Sequence, residues 1–414
     1  MPSEEPAPPR RWLSIVGIGE GGIDGLTGNA RAAVSDAEFV FGGRRHLALV
    51  AGLVRGEARP WPSPFDVAAV AALAGRRVCV VASGDPFLHG VGATLARLVP
   101  AGEMAVFPAP SAFSHAAARL GWPIADTALL SLHGRPVALV RPHLDPGRRI
   151  LALTSDADGP AAVAALLAAA GFGASRLTVL EALGGPRERI RAATAEGFAL
   201  SDVDPLNVLA IEVATAPEAR VIPRAPGLPD AWFDNDGQLT KREIRAMTLS
   251  ALAPRRGEHL WDVGAGAGSI AIEWMLADPS LTAVALEARA DRAARVRANA
   301  VALGVPGLAV VEGAAPAALA GLLDAGGGRT PDAVFVGGGA SEAGVLETAA
   351  AALAPGGRLV VNAVTLETEA VLLARHAALG GDLVRLAVAR AAPVAGMTGW
   401  RPAMPVTQWT WRKP

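Results

Sequence analysis

The residues with the clearest chemical potential lie in Leu260–Trp274, which reads LWDVGAGAGSIAIEW. A short apolar run leads into glycines at 264, 266 and 268, and an apolar segment resumes at Ile270. That is the pattern of a strand, a tight turn and a helix start in a nucleotide-binding βα unit. Glycines let the backbone N–H groups of such a turn approach a ligand where a side chain would collide. A dinucleotide loop wants its third glycine three positions after the second, and Ser269 stands there. Asp262 precedes the first glycine by two residues, and the next apolar run, Leu281–Leu286, ends in Glu287. A carboxylate at that strand end accepts ribose hydroxyls. The loop has no basic side chain and no second phosphate cradle. A phosphate-free nucleoside with a cationic group fits, and S-adenosylmethionine is such a molecule. Asp262, Gly264, Ala265, Gly266 and Glu287 are its candidate ligands. An NAD-dependent oxidoreductase using the same loop is the competing reading, and Ser269 disfavours it.

Polar and small residues recur at later strand ends. Glu312-Gly313-Ala314 closes the third strand of this half, where Gly313 and Ala314 can lie against an adenine. Gly337-Gly338-Gly339 closes the fourth, and Asn362 and Thr365 follow the fifth. Open α/β sheets bind ligands at this rim. Upstream, Thr240–Leu252 reads as a helix with Thr240 as N-cap and Glu243 three residues on, a capping box. Lys241, Arg242, Arg245 and Asn362 are groups able to hold a carboxylate, and no catalytic residue is assigned. The first half carries its own glycine- and proline-punctuated strand ends. They are Gly17–Gly22, Ser83-Gly84-Asp85-Pro86, Pro108–Phe113 and Ser131–Arg135.

The elements that must position these residues alternate. Strand candidates in the first half are Leu13–Ile18, Glu38–Phe41, Arg77–Val81, Ala105–Phe107, Leu129–Leu132, Ile150–Leu153, Leu177–Leu180 and Asn207–Ile211. Alanine-rich helical stretches lie between them, which argues for α/β layers with largely parallel sheets. Pro217, Pro223, Pro226 and Pro229 then interrupt all periodicity, giving domains at 11–220 and 231–414 joined by a stiff linker at 221–230. In the second half, Leu308–Val311, Ala333–Val336 and Arg358–Val361 continue the strand series. Leu383–Ala389 and Met404–Trp411 have no helix between them and are expected to close the sheet as an antiparallel hairpin. Five βα units ending in a hairpin is a Rossmann-like methyltransferase arrangement, whereas an NAD domain adds a sixth parallel strand.

Composition narrows the function classes. The 414 residues are 51 % hydrophobic and 19 % charged, with net charge −1, a globular balance with room for more than one core. Neither half has the basic excess of a nucleic-acid binder. Cys79 is the lone cysteine, so disulfides and cysteine-based metal sites within the chain are excluded, and the seven histidines are too dispersed for a metal site. No apolar stretch approaches the roughly 20 residues of a membrane span. The proline-rich residues 1–10 have no apolar core of a signal peptide and read as a disordered tail of a cytoplasmic protein.

VGIGEGG, SGDPFLHG, PAPSAFSHAAARLGW and SLHGR, in this order, resemble the motifs of the tetrapyrrole methylase family of cobalamin biosynthesis. By that resemblance Ser83, Gly84, Asp85, Pro86, Ser111 and Ala112 contact S-adenosylmethionine, and the Gly17–Gly22 loop faces a tetrapyrrole. Glu20 stands where many relatives have proline. FDNDGQLTKREIRAMTL, DVGAGAGSIAIEW, LEARADR and FVGGG resemble the decarboxylating precorrin C15-methyltransferases, which places Thr240, Gly264, Gly266, Glu287 and Ala314 in a second S-adenosylmethionine pocket. The resemblance covers residues 12–414. It implies two cofactor sites on unrelated folds, a precorrin methylated at C5 and C15, loss of the ring C acetate carboxyl, and a homo-oligomer. A tetrapyrrole carrier without enzymatic activity is the remaining alternative.

Overall fold

A computed structural model describes residues 11–324 and 329–414, so the tail expected at 1–10 lies outside the described residues. Contacts divide the chain into two units. One comprises residues up to 137 together with 145–220, and the other comprises 138–144 together with 221–414.

The first unit opens with a parallel sheet of β1 (Leu13–Ile18), β2 (Phe39–Gly42), β3 (Glu57–Pro60), β4 (Val78–Ser83) and β5 (Met104–Phe107), ordered β3-β2-β4-β1-β5. Helices α1 (Gly28–Ser35), α2 (Arg44–Val50), α3 (Ala68–Ala71) and α4 (Val91–Leu95) connect the strands. Along β4, Val78 and Val80 join one core and Cys79 and Val81 the other. A strand apolar on both faces reads as a continuous run, which is why VCVVA does not alternate. Burial pushes the Cys79 thiol up to about 12, so it is an inert packing residue.

After α5 (Ala112–Leu120) come β6 (Thr127–Ser131), β7 (Arg149–Leu153), α6 (Gly159–Ala169), β8 (Arg176–Glu181), β9 (Arg189–Thr194) and β10 (Asn207–Glu212). This sheet runs β6-β7-β10-β8-β9 and departs from the parallel expectation. Only β6 and β7 pair parallel; β10 inserts antiparallel between β7 and β8, and β9 is an antiparallel edge. An apolar run such as Asn207–Ile211 records burial on both faces and carries no sign of direction.

The second unit contains α7 (Arg242–Leu252), β11 (His259–Val263), α8 (Ser269–Ala277), β12 (Thr282–Glu287), α9 (Ala290–Ala302), β13 (Ala309–Glu312), α10 (Ala317–Asp324), β14 (Ala333–Val336), α11 (Val345–Ala352), β15 (Arg358–Ala363) and α12 (Leu366–Leu379). It ends in β16 (Asp382–Leu386), β17 (Ala389–Val394), β18 (Met397–Pro402) and β19 (Val406–Arg412). The sheet order is β13-β12-β11-β14-β15-β19-β16, with five parallel strands followed by β19 running antiparallel to both neighbours. The antiparallel closure matches the expected methyltransferase arrangement. The interval between its strands does not, because β17 and β18 form a separate two-stranded hairpin there.

The start of α7 also differs. Its N-cap is Lys241 without a side-chain cap, so the expected capping box at Thr240 and Glu243 is absent. Arg245 explains why. It is fully buried, ion-paired with Glu273 of α8 and with Asp230, and its guanidinium takes the carbonyls of Thr240 and Leu228. Glu273 in turn accepts the N–H groups of Gly227 at 2.6 Å and Leu228 at 2.9 Å. The chain entering α7 is thus held by a buried guanidinium, and Thr240 is left outside the helix. Arg245 is therefore a structural clamp and does not reach any substrate carboxylate.

Candidate functional site

The strand ends of the second unit border a cavity of about 900 Å³. Its floor is the turn after β11, where Gly264, Gly266 and Gly268 have φ of +72°, +60° and +77°. Each excludes a Cβ for its own reason. At Gly264 a Cβ would meet the Gly338 N at 2.9 Å, at Gly266 the Gln238 O at 3.1 Å, and at Gly268 the Val296 Cγ1 at 2.6 Å. The turn is therefore pressed between the loop after β14 and the segment before α7. Left-handed backbone at three alternate positions is available to glycine at little cost.

Glu287, at the end of β12, accepts the Gly266 N–H through Oε2 at 2.9 Å and the Arg289 N–H through Oε1 at 3.1 Å. A carboxylate offers about four acceptor positions, so one on each oxygen remains for a pair of vicinal hydroxyls. Thr240, Gly264, Ala265, Gly266, Glu287, Gly313 and Ala314 all line the cavity. Asp262 does not. It is buried, with Oδ2 accepting the Ala271 N–H at 3.0 Å and Oδ1 without a hydrogen-bond partner. It holds the first turn of α8 from behind the glycine turn. Burial, and secondarily the charge of Glu287, push its carboxyl up to about 7 against that one hydrogen bond.

On the far side of the cavity, Asn362 donates to Thr248 Oγ1 at 2.9 Å and accepts from Gln408 Nε2 at 2.9 Å. Thr248 donates onward to the Ile244 carbonyl at 2.8 Å, which fixes the Asn362 amide. Lys241 and Asn362 border the cavity, as do Glu342, Arg390, Arg401 and Met404, which sequence reasoning did not single out. Arg390 and Arg401 sit on the hairpin absent from the expected topology, so nothing tied them to the glycine turn.

In the first unit, three strand ends converge. Gly84 has φ of +51°; its N–H donates to the Ile18 carbonyl at 3.0 Å and its carbonyl accepts from Ala109 N at 3.2 Å. A Cβ on Gly17 would lie 1.8 Å from the Gly84 O, and one on Gly84 would lie 2.8 Å from the Ser111 Cα. Asp85 closes the turn by accepting the Phe87 N–H at 2.8 Å, and the Pro86 carbonyl accepts from Gly92 N at 2.9 Å. Ser111 is the N-cap of α5 in a reciprocal capping box with Ser114, with Ala112 as the first helical residue. The six expected residues thus form one backbone-dominated rim.

Ser83 reveals a cluster that was not foreseen. Its Oγ lies 2.7 Å from His46 Nε2, and Arg45 donates to both, at 2.9 Å and 2.8 Å respectively. Burial, then the charge of Arg45, pull the imidazole down to about 4, so His46 is neutral near pH 7. Arg45 also pairs with Glu20, which Arg187 approaches at 3.6 Å. The available signal was the Arg44-Arg45-His46 run directly after Gly42-Gly43. Among the described residues, no group of three or more His, Cys, Asp or Glu side chains is placed to hold a metal, and no helix is long and apolar enough to cross a membrane.

Comparison with known proteins matches residues 13–199 to the tetrapyrrole (corrin/porphyrin) methylases and residues 231–413 to the precorrin methyltransferase domain. A precorrin-6Y C(5,15)-methyltransferase (decarboxylating) of a Sinorhizobium species is 57 % identical, across 99 % of this chain and 98 % of that one. The Mycobacterium tuberculosis protein of the same name is 43 % identical, across 96 % and 99 %. A solved C-terminal domain of precorrin-6Y C5,15-methyltransferase from Rhodobacter capsulatus is 46 % identical, covering 46 % of this chain and all of that one, with a TM-score of 0.43. With two such relatives matching along nearly its whole length, the chain belongs to the decarboxylating precorrin-6Y C(5,15)-methyltransferases.

Proposed function

We propose that this enzyme uses S-adenosylmethionine to methylate precorrin-6B, named precorrin-6Y in its relatives, at C5 and C15. It also removes the ring C acetate carboxyl, giving precorrin-8 in cobalamin biosynthesis. The observation that carries the reading is the rim of the 900 Å³ cavity, where the glycine turn and the spare acceptors of Glu287 fit a nucleoside without phosphates. We assign C15 methylation and decarboxylation to the second unit. C5 methylation falls to the first, with a second cofactor held by the rim of Ser83–Pro86, Ser111 and Ala112. Self-association in the cytoplasm belongs to the same reading, and sedimentation velocity reports the first of these directly.

When bound, S-adenosylmethionine supplies an electrophilic methyl whose bond to sulfur breaks as the bond to the ring carbon forms. The protein contributes alignment: the spare acceptors of Glu287 and the side-chain-free surface of the glycine turn fix one reactant, and the cavity walls exclude water around the other. Holding reacting atoms about 3–3.5 Å apart supplies roughly 7–11 kcal/mol. In decarboxylation the electrons of the broken carbon–carbon bond pass into the macrocycle, and a proton returns to the resulting methylene carbon. A single-turnover incubation of the full chain with precorrin-6B and labelled S-adenosylmethionine, read by mass spectrometry, tests this. Two transferred methyls and one lost carboxyl are expected. Substrate of unaltered mass would indicate a carrier.

A further inference from the structure

We infer that Arg390 and Arg401 form a carboxylate-binding subsite for the macrocyclic substrate in the second unit. The inference rests on the functional reading above and extends it to the recognition of the substrate. The two residues are register partners across the β17–β18 hairpin, and both line the cavity. Side chains directly opposed on antiparallel strands stand about 4.5–5.5 Å apart at Cβ, and like charges there are destabilising. Arg390 meets part of this cost by pairing with Glu243, with Asp230 at 3.8 Å. Arg401 is exposed and has no ion-pair or hydrogen-bond partner among the described residues. An unpaired guanidinium beside a second one on the cavity wall is available to an anion, and its planar fork suits a carboxylate.

Sheet order separates this subsite from the nucleoside end. Glu287 ends β12, while the hairpin leaves the sheet between β16 and β19, which lie beyond β11, β14 and β15. Four strand spacings from β12 to β19 amount to about 19 Å. The hairpin thus springs from strands on the other side of the sheet from the nucleoside anchor, and a second molecule at the arginines is what the proposal adds. The cavity's 900 Å³ lies near the upper end of the usual range of ligand sites, roughly 300–1,000 Å³. Met404 and Val406 line the same end and give an apolar surface beside the two charges. An apolar macrocycle edged by acetate and propionate groups has that combination of surfaces. The other available carboxylate is that of the cofactor's own amino acid.

The test uses the full chain carrying Arg401→Gln or Arg401→Lys, and separately Arg390→Gln. Cofactor affinity is read by calorimetry, and KM for the precorrin is read through carbon dioxide release. In Arg401→Gln, KM is expected to rise at least about tenfold with cofactor affinity unchanged, and Arg401→Lys is expected to recover part of the loss through its retained charge. A fall in cofactor affinity at unchanged precorrin KM would reassign the subsite to the cofactor and overturn the proposal. Unchanged values for both ligands would overturn it as well, making the pair ordinary surface charge. Absence of carbon dioxide release from the unsubstituted chain would instead remove the functional reading on which it rests.

Discussion

Glu287 Oε2 accepts the Gly266 N–H at 2.9 Å, so the carboxylate at the end of one strand shapes the turn at the end of its neighbour. Its other oxygen holds the Arg289 N–H, which leads into α9. Glu287→Gln replaces one acceptor oxygen by an amide N–H₂, which must face either a backbone donor or a ligand hydroxyl. A hydrogen bond to a charged group is worth about 1.5–3 kcal/mol, so cofactor binding at this site should weaken about ten- to hundredfold. Calorimetry on the full chain reads it: one class of binding site should weaken while any other is untouched.

Asp262 predicts an unusual pH response. Its carboxyl is pushed up to about 7 from a usual 3.8 because burial outweighs the single hydrogen bond from Ala271. The folded chain therefore holds a proton that the unfolded chain has released between about pH 4 and pH 7. This group's contribution is fully present below pH 4 and is lost as pH rises toward 7, amounting to roughly 4 kcal/mol. Asp262→Asn keeps the shape and removes the titration. Denaturant unfolding of the variant should gain stability relative to the parent on going from pH 5 to pH 8. A parallel pH dependence in the two proteins would contradict the assignment.

How much of this was legible before the structure depends on the range of each interaction. The glycine turn, Glu287 and the Ser83–Pro86 loop announce themselves because turn geometry is local and its residues are adjacent in sequence. Asp262 was placed correctly beside the turn, yet its side-chain direction was not legible, since a buried strand residue can face either side. The edge strands β3 and β9 read EARP and RIRAAT, polar enough to hide their pairing, as edge strands commonly are. The β17–β18 hairpin contains Pro393 and Pro402 and is exposed along most of its length, so no alternation marks it. Arg245 was misjudged because its partner Glu273 lies 28 residues away on another helix.

The Arg245–Glu273 pair yields a stability prediction. Arg245 is fully buried and Glu273 nearly so, and together they hold Gly227, Leu228 and Thr240 ahead of α7. Removing one partner of a buried pair leaves an uncompensated charge and costs about 3–5 kcal/mol. Arg245→Met should therefore destabilise strongly. The double variant with Glu273→Gln should recover part of that loss, because it removes the uncompensated charge and the amide oxygen still accepts one of the two backbone N–H groups. A double-mutant cycle by urea unfolding measures the coupling, and additive effects would show that the pair does not act as a clamp.

Gly84 supplies the corresponding test for the first unit. Its φ of +51° costs a residue with a Cβ about 1–2 kcal/mol, and the added carbon would lie 2.8 Å from the Ser111 Cα and 3.0 Å from the Pro110 O. Backbone atoms cannot rotate away as a side chain would, so Gly84→Ala must part the loops after β4 and β5. With them goes the rim proposed for the first cofactor, while the second unit's cavity contains none of these residues. The variant should give a product that has lost its carboxyl and gained a single methyl, at C15. The position follows from NMR of product made with ¹³C-labelled S-adenosylmethionine. A doubly methylated product at the parent rate would place C5 methylation elsewhere in the chain.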